Sequence, residues 1–124
     1  MAWSDGGQAK RAALYARVST ADQHTDTQIA RLREVAARAG WDVVGEYIEV
    51  VSGAANARPE FERMMNEVRR RRVDLIASVD VSRLGRTLRG LVGLVDEIGA
   101  LNCDLYLDRE ALDTTTPYGR AMFG

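Results

Sequence analysis

The stretch Leu14-Tyr15-Ala16-Arg17-Val18-Ser19-Thr20 decides how the chain is read. Apolar and β-branched residues dominate it, and it delivers one arginine and one serine where it ends, as a buried strand does on reaching a polar edge. Arg17 and Ser19 are two apart, so in an extended chain their side chains leave on the same face. A hydroxyl beside a guanidinium is what attack on a phosphate ester needs: the serine supplies the oxygen, and the arginine binds the anion and damps its charge. A plainer role exists for Ser19, because serine also caps helices and the next helix begins nearby. Spacing alone leaves nucleophile and cap equal. Thr20 with Gln23 can form a capping box, which would leave Ser19 free.

Outward from this stretch the chain alternates strand and helix. Residues 11–18 form the first strand, and 22–39 read as a helix with Ile29, Leu32, Ala36 and Ala39 at helical spacing, closed by Gly40. Residues 41–50 form a second strand, and a small-residue loop over 51–57 leads to Arg58. Pro59 then opens a helix with Phe61, Met64, Met65 and Val68 on one face. Residues 73–81 are a third strand, 86–100 a helix with Leu88, Leu91, Val92 and Val95 turned inward, and 103–107 a fourth strand. Repetition of this kind implies an α/β fold: a mainly parallel sheet with helices on both faces. Ligands of such sheets bind beyond the carboxyl ends of the strands, where strand order reverses. Arg17, Ser19, Arg58, Arg83 and Arg86 all fall at those ends.

The bulk composition narrows the classes. At 124 residues, 46% hydrophobic and 28% charged, the chain is one domain of ordinary globular composition. No apolar run approaches a membrane span, no signal-peptide core is present, and residues 1–10 read as a disordered leader. One cysteine, Cys103, excludes an internal disulfide and suits a reducing cytoplasm as a buried small hydrophobe. The net charge of −1 excludes a uniformly basic coat, yet of 17 basic residues only Lys10 is lysine. Arginine is the better residue for two-point phosphate contacts, so affinity for a polyanion rests on where the arginines cluster.

Arg83 and Arg86 lie three apart on one helical turn, and with Arg17 and Arg58 up to four guanidiniums converge at one edge. Such a cluster makes sense around a bound polyanion; the plain alternative is pairing with carboxylates such as Asp22, Glu49 or Asp80. Gln23 and Gln28 can hydrogen-bond a phosphate or a neighbour, although isolated glutamines more often face solvent. The Arg69–Arg72 run closes a helix, where cations complement the dipole, and reads as a solvated terminus. His24 has no evident partner, and one His with one Cys cannot build a zinc site. The chain has no glycine-rich phosphate loop, so arginines must do what a metal would do elsewhere.

Tyr15-Ala16-Arg17-Val18-Ser19-Thr20 with Gln23 and Gln28, the Arg58-Pro59 pair, Arg83-Leu84-Gly85-Arg86 and the segment Ala111 to Arg120 together resemble the serine site-specific recombinases, the resolvases and DNA invertases. The resemblance covers nearly all of residues 11–124. It implies a three-layer α/β/α domain with four to five strands in the flavodoxin-like order 2-1-3-4. It implies that Ser19 attacks a DNA phosphodiester to give a 5′-phosphoserine link and a free 3′-hydroxyl, with no metal, nucleotide or other cofactor. Arg17, Arg83 and Arg86 would be catalytic, with Arg58, Gln23, Gln28, Glu49 and Ser82 binding the phosphate or supporting the site. The implied partner is duplex DNA, handled by dimers that pair into tetramers in the cytoplasm, with no membrane, in DNA recombination or integration by a mobile element. Two departures stand out: Ser82 occupies a place where the family usually has Asp, and Glu49 a place where it usually has Asp. They keep open a recombinase-derived interaction domain with reduced or no activity, beside a phosphatase or nucleotide hydrolase using the same serine. The resemblance also leads one to expect a dimerisation helix and a DNA-binding module after residue 124. Without them the segment should be inactive, a monomer or weak dimer, and bind DNA weakly, without sequence preference and with strong salt dependence.

Overall fold

Five strands and three helices alternate along the residues that a computed structural model describes, namely 9–19, 25–51, 58–80 and 88–115. In chain order they are β1 (Arg11–Ser19), α1 (Thr25–Ala39), β2 (Asp42–Val51), α2 (Pro59–Arg69), β3 (Leu75–Ser78), α3 (Leu88–Gly99), β4 (Asp104–Leu107) and β5 (Leu112–Asp113). The sheet order is β2-β1-β3-β4-β5. The first three pairings are parallel and only β4–β5 is antiparallel. The expected order 2-1-3-4 is therefore observed, with a short antiparallel strand added at one edge. Strand order reverses between β1 and β3, which puts the ligand edge at the carboxyl ends of these two strands.

Alternation along β1 supplies both faces of the sheet. Ala12, Leu14 and Ala16 join Leu75 and Ala77 beneath Ile29 and Leu32 of α1. Ala13 and Tyr15 turn to the opposite face, where Tyr47, Ile76, Leu105 and Leu107 lie under the apolar sides of α2 and α3. Helices thus cover both faces, and the sheet is the middle of three layers. No helix among the described residues is long and apolar enough to cross a membrane.

Each helix follows its local code, with adjustments. α1 stops at Gly40, whose φ of 75° is open to glycine at little cost, and the Trp41 N–H reaches back 2.9 Å to the Ala36 carbonyl. Its buried side includes Val35, whereas Ala39 is exposed. In α2 the predicted face is the observed one: Phe61, Met64, Met65 and Val68 are all buried behind Pro59. α3 differs from expectation. Leu91, Leu94 and Ile98 are buried and Val95 packs against the same core, while Val92 is 38% exposed. Of the predicted face, Leu91 and Val95 hold, Val92 turns outward, and the side chain of Leu88 lies outside the described residues. Two overlapping i, i+3, i+4 sets exist in this apolar helix, and burial against β4 selects the later one.

β3 is shorter than the predicted 73–81. Its ladder with β4 runs only from Leu75–Asp104 to Ser78–Leu107, because the partner has four residues to offer. Val73 and Asp80 lie outside the strand and are buried nevertheless. The cations after α2 behave as a solvated terminus: Arg70 and Arg72 pair with Glu67, and Arg69 with Glu97. Cys103 is buried, and that burial pushes its thiol up to about 12. Tyr47 is buried with the Arg63 guanidinium 4.5 Å above its ring, and Trp41 meets Tyr106 edge-on at 5.4 Å.

Candidate active site

Three elements meet on the α2–α3 face at the carboxyl ends of β1 and β2. β1 contributes Tyr15 and Arg17, β2 contributes Glu49, and α2 contributes its first turn. Parallel register sets Tyr15 opposite Tyr47, Arg17 opposite Glu49 and Ser19 opposite Val51. Ser19 is the last residue of β1, two beyond the half-buried Arg17.

Glu49 is 2% exposed, and its position is determined by what its carboxylate accepts. The N–H of Phe61 donates to Oε1 at 3.0 Å, the N–H of Glu60 to Oε2 at 3.3 Å, and the Tyr15 hydroxyl to Oε1 at 3.2 Å. Glu60 and Phe61 are the second and third residues of α2, whose N–H groups have no partner within the helix. A negative charge at this end also suits the helix dipole. The residue in the N-cap position is Arg58, which makes no side-chain cap bond. Arginine cannot accept one, since it carries donors only. The carboxylate from the neighbouring strand meets that need instead.

Arg58 is placed by an aromatic pillar. Its guanidinium lies 4.3 Å from the Phe61 ring centroid, a cation–π distance. Phe61 meets Tyr15 edge-to-face at 5.5 Å and 75°. Tyr15 is fully buried, and burial first, then the Glu49 charge, push its phenol far up, with Arg58 and Arg17 acting in the opposite sense. Its hydroxyl therefore stays protonated and donates to Glu49.

Neighbouring elements hold the strand ends. Gln28 of α1, only 6% exposed, directs its Nε2 toward the Arg17 carbonyl at 3.5 Å, so it faces the sheet and not solvent. The Ser78 hydroxyl donates to the Tyr15 carbonyl at 3.0 Å, tying β3 to β1 within the core. Beyond β3, buried Asp80 receives Arg109 at 3.4 Å, and the Arg109 N–H donates to the Val79 carbonyl at 2.7 Å.

Of the residues singled out by sequence, Arg17, Arg58 and Glu49 are thus brought together, and Gln28 stands behind β1. The side chain of Ser19, together with Gln23, Ser82, Arg83 and Arg86, lies outside the described residues, as do Thr20, Asp22 and His24. Tyr15 was read only as part of the first strand and its motif and Phe61 as part of an apolar helix face, and together they support Arg58. Phe61, an aromatic three positions after Arg58, is the sequence signal that could have shown it.

The chain is similar to known proteins over most of its length. The family profile described as Resolvase, N terminal domain, matches residues 12–124. The integrase-like protein y4lS of Sinorhizobium fredii is 36% identical over 110 residues, covering 88% of this chain and 56% of that protein. The serine recombinase gin of Escherichia phage Mu is 32% identical over 109 residues, covering 88% of this chain and 52% of that protein. The chain spans about half the length of these curated relatives. Among solved structures, the N-terminal catalytic domain of TP901-1 integrase superposes with a TM-score of 0.80 at 31% identity, over 92% of this chain and 88% of that one. The C-terminal catalytic domain of ISC1926 TnpA, an IS607-like serine recombinase, superposes with a TM-score of 0.69 at 28% identity, over 79% and 67% of the two chains.

Proposed function

The chain belongs to the resolvase N-terminal-domain family, and from that premise we propose that it is the catalytic core of a serine recombinase acting on duplex DNA. In this reading the Ser19 oxygen bonds to the phosphorus of a DNA phosphodiester while the bond from phosphorus to the 3′ oxygen breaks. The serine proton is given up and the departing 3′ oxygen takes one up. The product is a 5′-phosphoserine ester, and religation to a new strand is the same step in reverse, so no external energy is consumed. Arg17 and Arg58 bind the phosphate and offset the charge that builds on its oxygens, where fixed donors act without reorganising. Arg83 and Arg86 complete the cation set. Glu49 and Gln28 support it from the α2 and α1 sides, and Gln23 and Ser82 are further candidates for binding the phosphate or supporting the site.

The observation that carries this reading is the pairing of a family match over 12–124 with the arrangement of Arg17, Glu49 and Arg58 at the strand end that Ser19 closes. The protein would act in the cytoplasm on two DNA duplexes, as dimers joined in a tetramer.

The test incubates the protein with DNA from its own locus under conditions that trap cleavage. The expected product is a covalent protein–DNA adduct, lost in Ser19→Ala. Absence of any adduct from a folded protein that binds DNA would support the second reading, a recombinase-derived interaction domain, for which Ser82 in the usual place of an aspartate is the supporting feature.

A further inference from the structure

We propose that Glu49 is the positioning residue of Arg58: by capping α2 from the neighbouring strand, it allows the N-cap position to be occupied by a guanidinium. The proposal rests on the functional reading above, and concerns how one of its cations is held.

Helices overwhelmingly take Ser, Thr, Asp or Asn at the N-cap, because a side-chain oxygen there satisfies the N–H groups of the second or third helical residue. Arg58 has no such oxygen, and its backbone angles are φ −131° and ψ 70°. The two N–H groups a local cap would serve are those of Glu60 and Phe61, and both donate to Glu49. This carboxylate comes from β2, eleven and twelve residues away in sequence, and is buried. Capping has therefore been moved off the helix onto the sheet, and the vacated position carries a cation.

The same carboxylate fixes the direction of that cation. It accepts the Tyr15 hydroxyl, Tyr15 holds Phe61 edge-on, and Phe61 carries the Arg58 guanidinium on its face. Carboxylate, phenol, phenyl ring and guanidinium form one chain of contacts, of which only the last reaches the site edge. Loss of the carboxylate leaves the first turn of α2 to fray, and Phe61 is in that turn. Arg58 then loses its platform while the remainder of α2 stays packed through Met64, Met65 and Val68. Side-chain length matters as well: an aspartate at 49, one methylene shorter, should lose at least one of the two N–H contacts.

The ring that carries Arg58 provides a readout independent of activity. Its δ and ε protons lie over Phe61 and should show ring-current displacement in the NMR spectrum. Arg63 lies over Tyr47 at 4.5 Å and serves as an internal control in the same helix. In Glu49→Ala, well below its melting temperature, the Arg58 displacement should collapse and that of Arg63 should persist. Glu49→Gln keeps one oxygen for Phe61 and Tyr15 and should keep most of the displacement. Adduct formation in Glu49→Ala should fall by roughly tenfold to a hundredfold, the scale of a mispositioned catalytic group, with DNA affinity changed less than the rate. Adding Arg58→Ser to Glu49→Ala supplies a local cap and should restore thermal stability but not the adduct.

An unchanged Arg58 displacement in folded Glu49→Ala overturns the proposal, and so does restoration of the adduct by the double variant. If Glu49→Ala does not fold, the Glu49→Gln and Glu49→Asp spectra decide: retention in the first and loss in the second is expected, and equal displacement in both overturns it. A parent protein that forms no adduct, with the spectra as expected, counts against the recombinase reading and leaves the positioning of Arg58 established.

Discussion

Arg31 of α1 grips Asp108, the residue just after β4, with two hydrogen bonds: Nε to Oδ2 at 2.9 Å and Nη2 to Oδ1 at 3.1 Å. The Tyr106 hydroxyl adds a third at 2.9 Å. These contacts hold the Asp108 carboxyl below its usual range, the Arg31 hydrogen bonds being the largest cause. Arg11 does the same to Asp74, and Arg33 to Glu46. In each case the folded pKa lies below the unfolded one. The stabilisation is therefore complete above the ordinary carboxylate range and is lost as pH falls through the depressed folded values. Thermal melts should show stability falling below about pH 4. Asp108→Asn should melt about 4 °C lower at pH 7 and show a shallower acid limb.

Two glycines should respond in opposite directions to alanine. Gly40 terminates α1 at a φ of 75°, so Gly40→Ala should destabilise by about 1 kcal/mol. Gly93 lies within α3 and a Cβ there meets nothing within 4 Å. Gly93→Ala should stabilise by about 0.5–1 kcal/mol through helix propensity. Urea titrations of the two variants measure both changes, and equal signs would contradict the backbone account.

Gly45 fails for a different reason. A Cβ at 45 would lie 2.8 Å from the Tyr47 ring edge and hydroxyl, and Tyr47 is itself buried beneath Arg63. Gly45→Ala should cost about 1–3 kcal/mol by forcing that ring aside. The displaced ring should be visible as a lost ring-current shift on Arg63.

Tyr15→Phe removes the hydroxyl that donates to Glu49 while retaining the edge-to-face contact with Phe61. The expected loss is about 1 kcal/mol in a chemical unfolding experiment. Because Phe61 and Glu60 still donate to Glu49, Arg58 should remain over its ring. A loss approaching that of Glu49→Ala would show the hydroxyl to be the dominant restraint.

Cys103 gives a probe of global opening. Its thiol is 3% exposed and pushed up to about 12, so it should resist disulfide reagents at about pH 8 in the folded state. Labelling should track the unfolded population as urea rises. Fast labelling in water would place β4 among the readily opened parts.

The parts of the fold legible in sequence were those encoded locally. Pro59 followed by Phe61, Met64, Met65 and Val68 fixes both the start and the buried side of α2, and the four apolar residues after the proline are all buried. The exposure of Val92 in α3 was not legible, because Leu88, Leu91, Val92 and Val95 satisfy helical spacing as well as Leu91, Leu94, Val95 and Ile98 do. Only packing against the sheet separates the two sets. At the site, Arg17 and Arg58 were recognisable by type and position. The function of Glu49 was not, since no spacing rule links a strand residue to the N–H groups of a later helix. Gln28 was legible as a residue able to bond a neighbour, but its burial was not, since that depends on a carbonyl of β1. The tie between Arg31 and Asp108 spans 77 positions and leaves no local trace.

The two faces of the sheet are unequal, and this determines where the protein tolerates redesign. On the α1 side three of the contacts are alanines, Ala12, Ala16 and Ala77, each fully buried, so the helix rides close on backbone and methyl groups. On the other side Met64 and Met65 provide flexible, adaptable filling. Volume added beneath α2 and α3 is absorbed by those methionines. Volume added at any of the three alanines lifts α1 and pulls Gln28 from the Arg17 carbonyl. The thin layer therefore transmits change to the strand end that Ser19 closes, whereas the thick layer does so only through Tyr15, Glu49 and Phe61, which carry Arg58. A library meant to alter stability without touching chemistry belongs on the methionine side, away from those three residues.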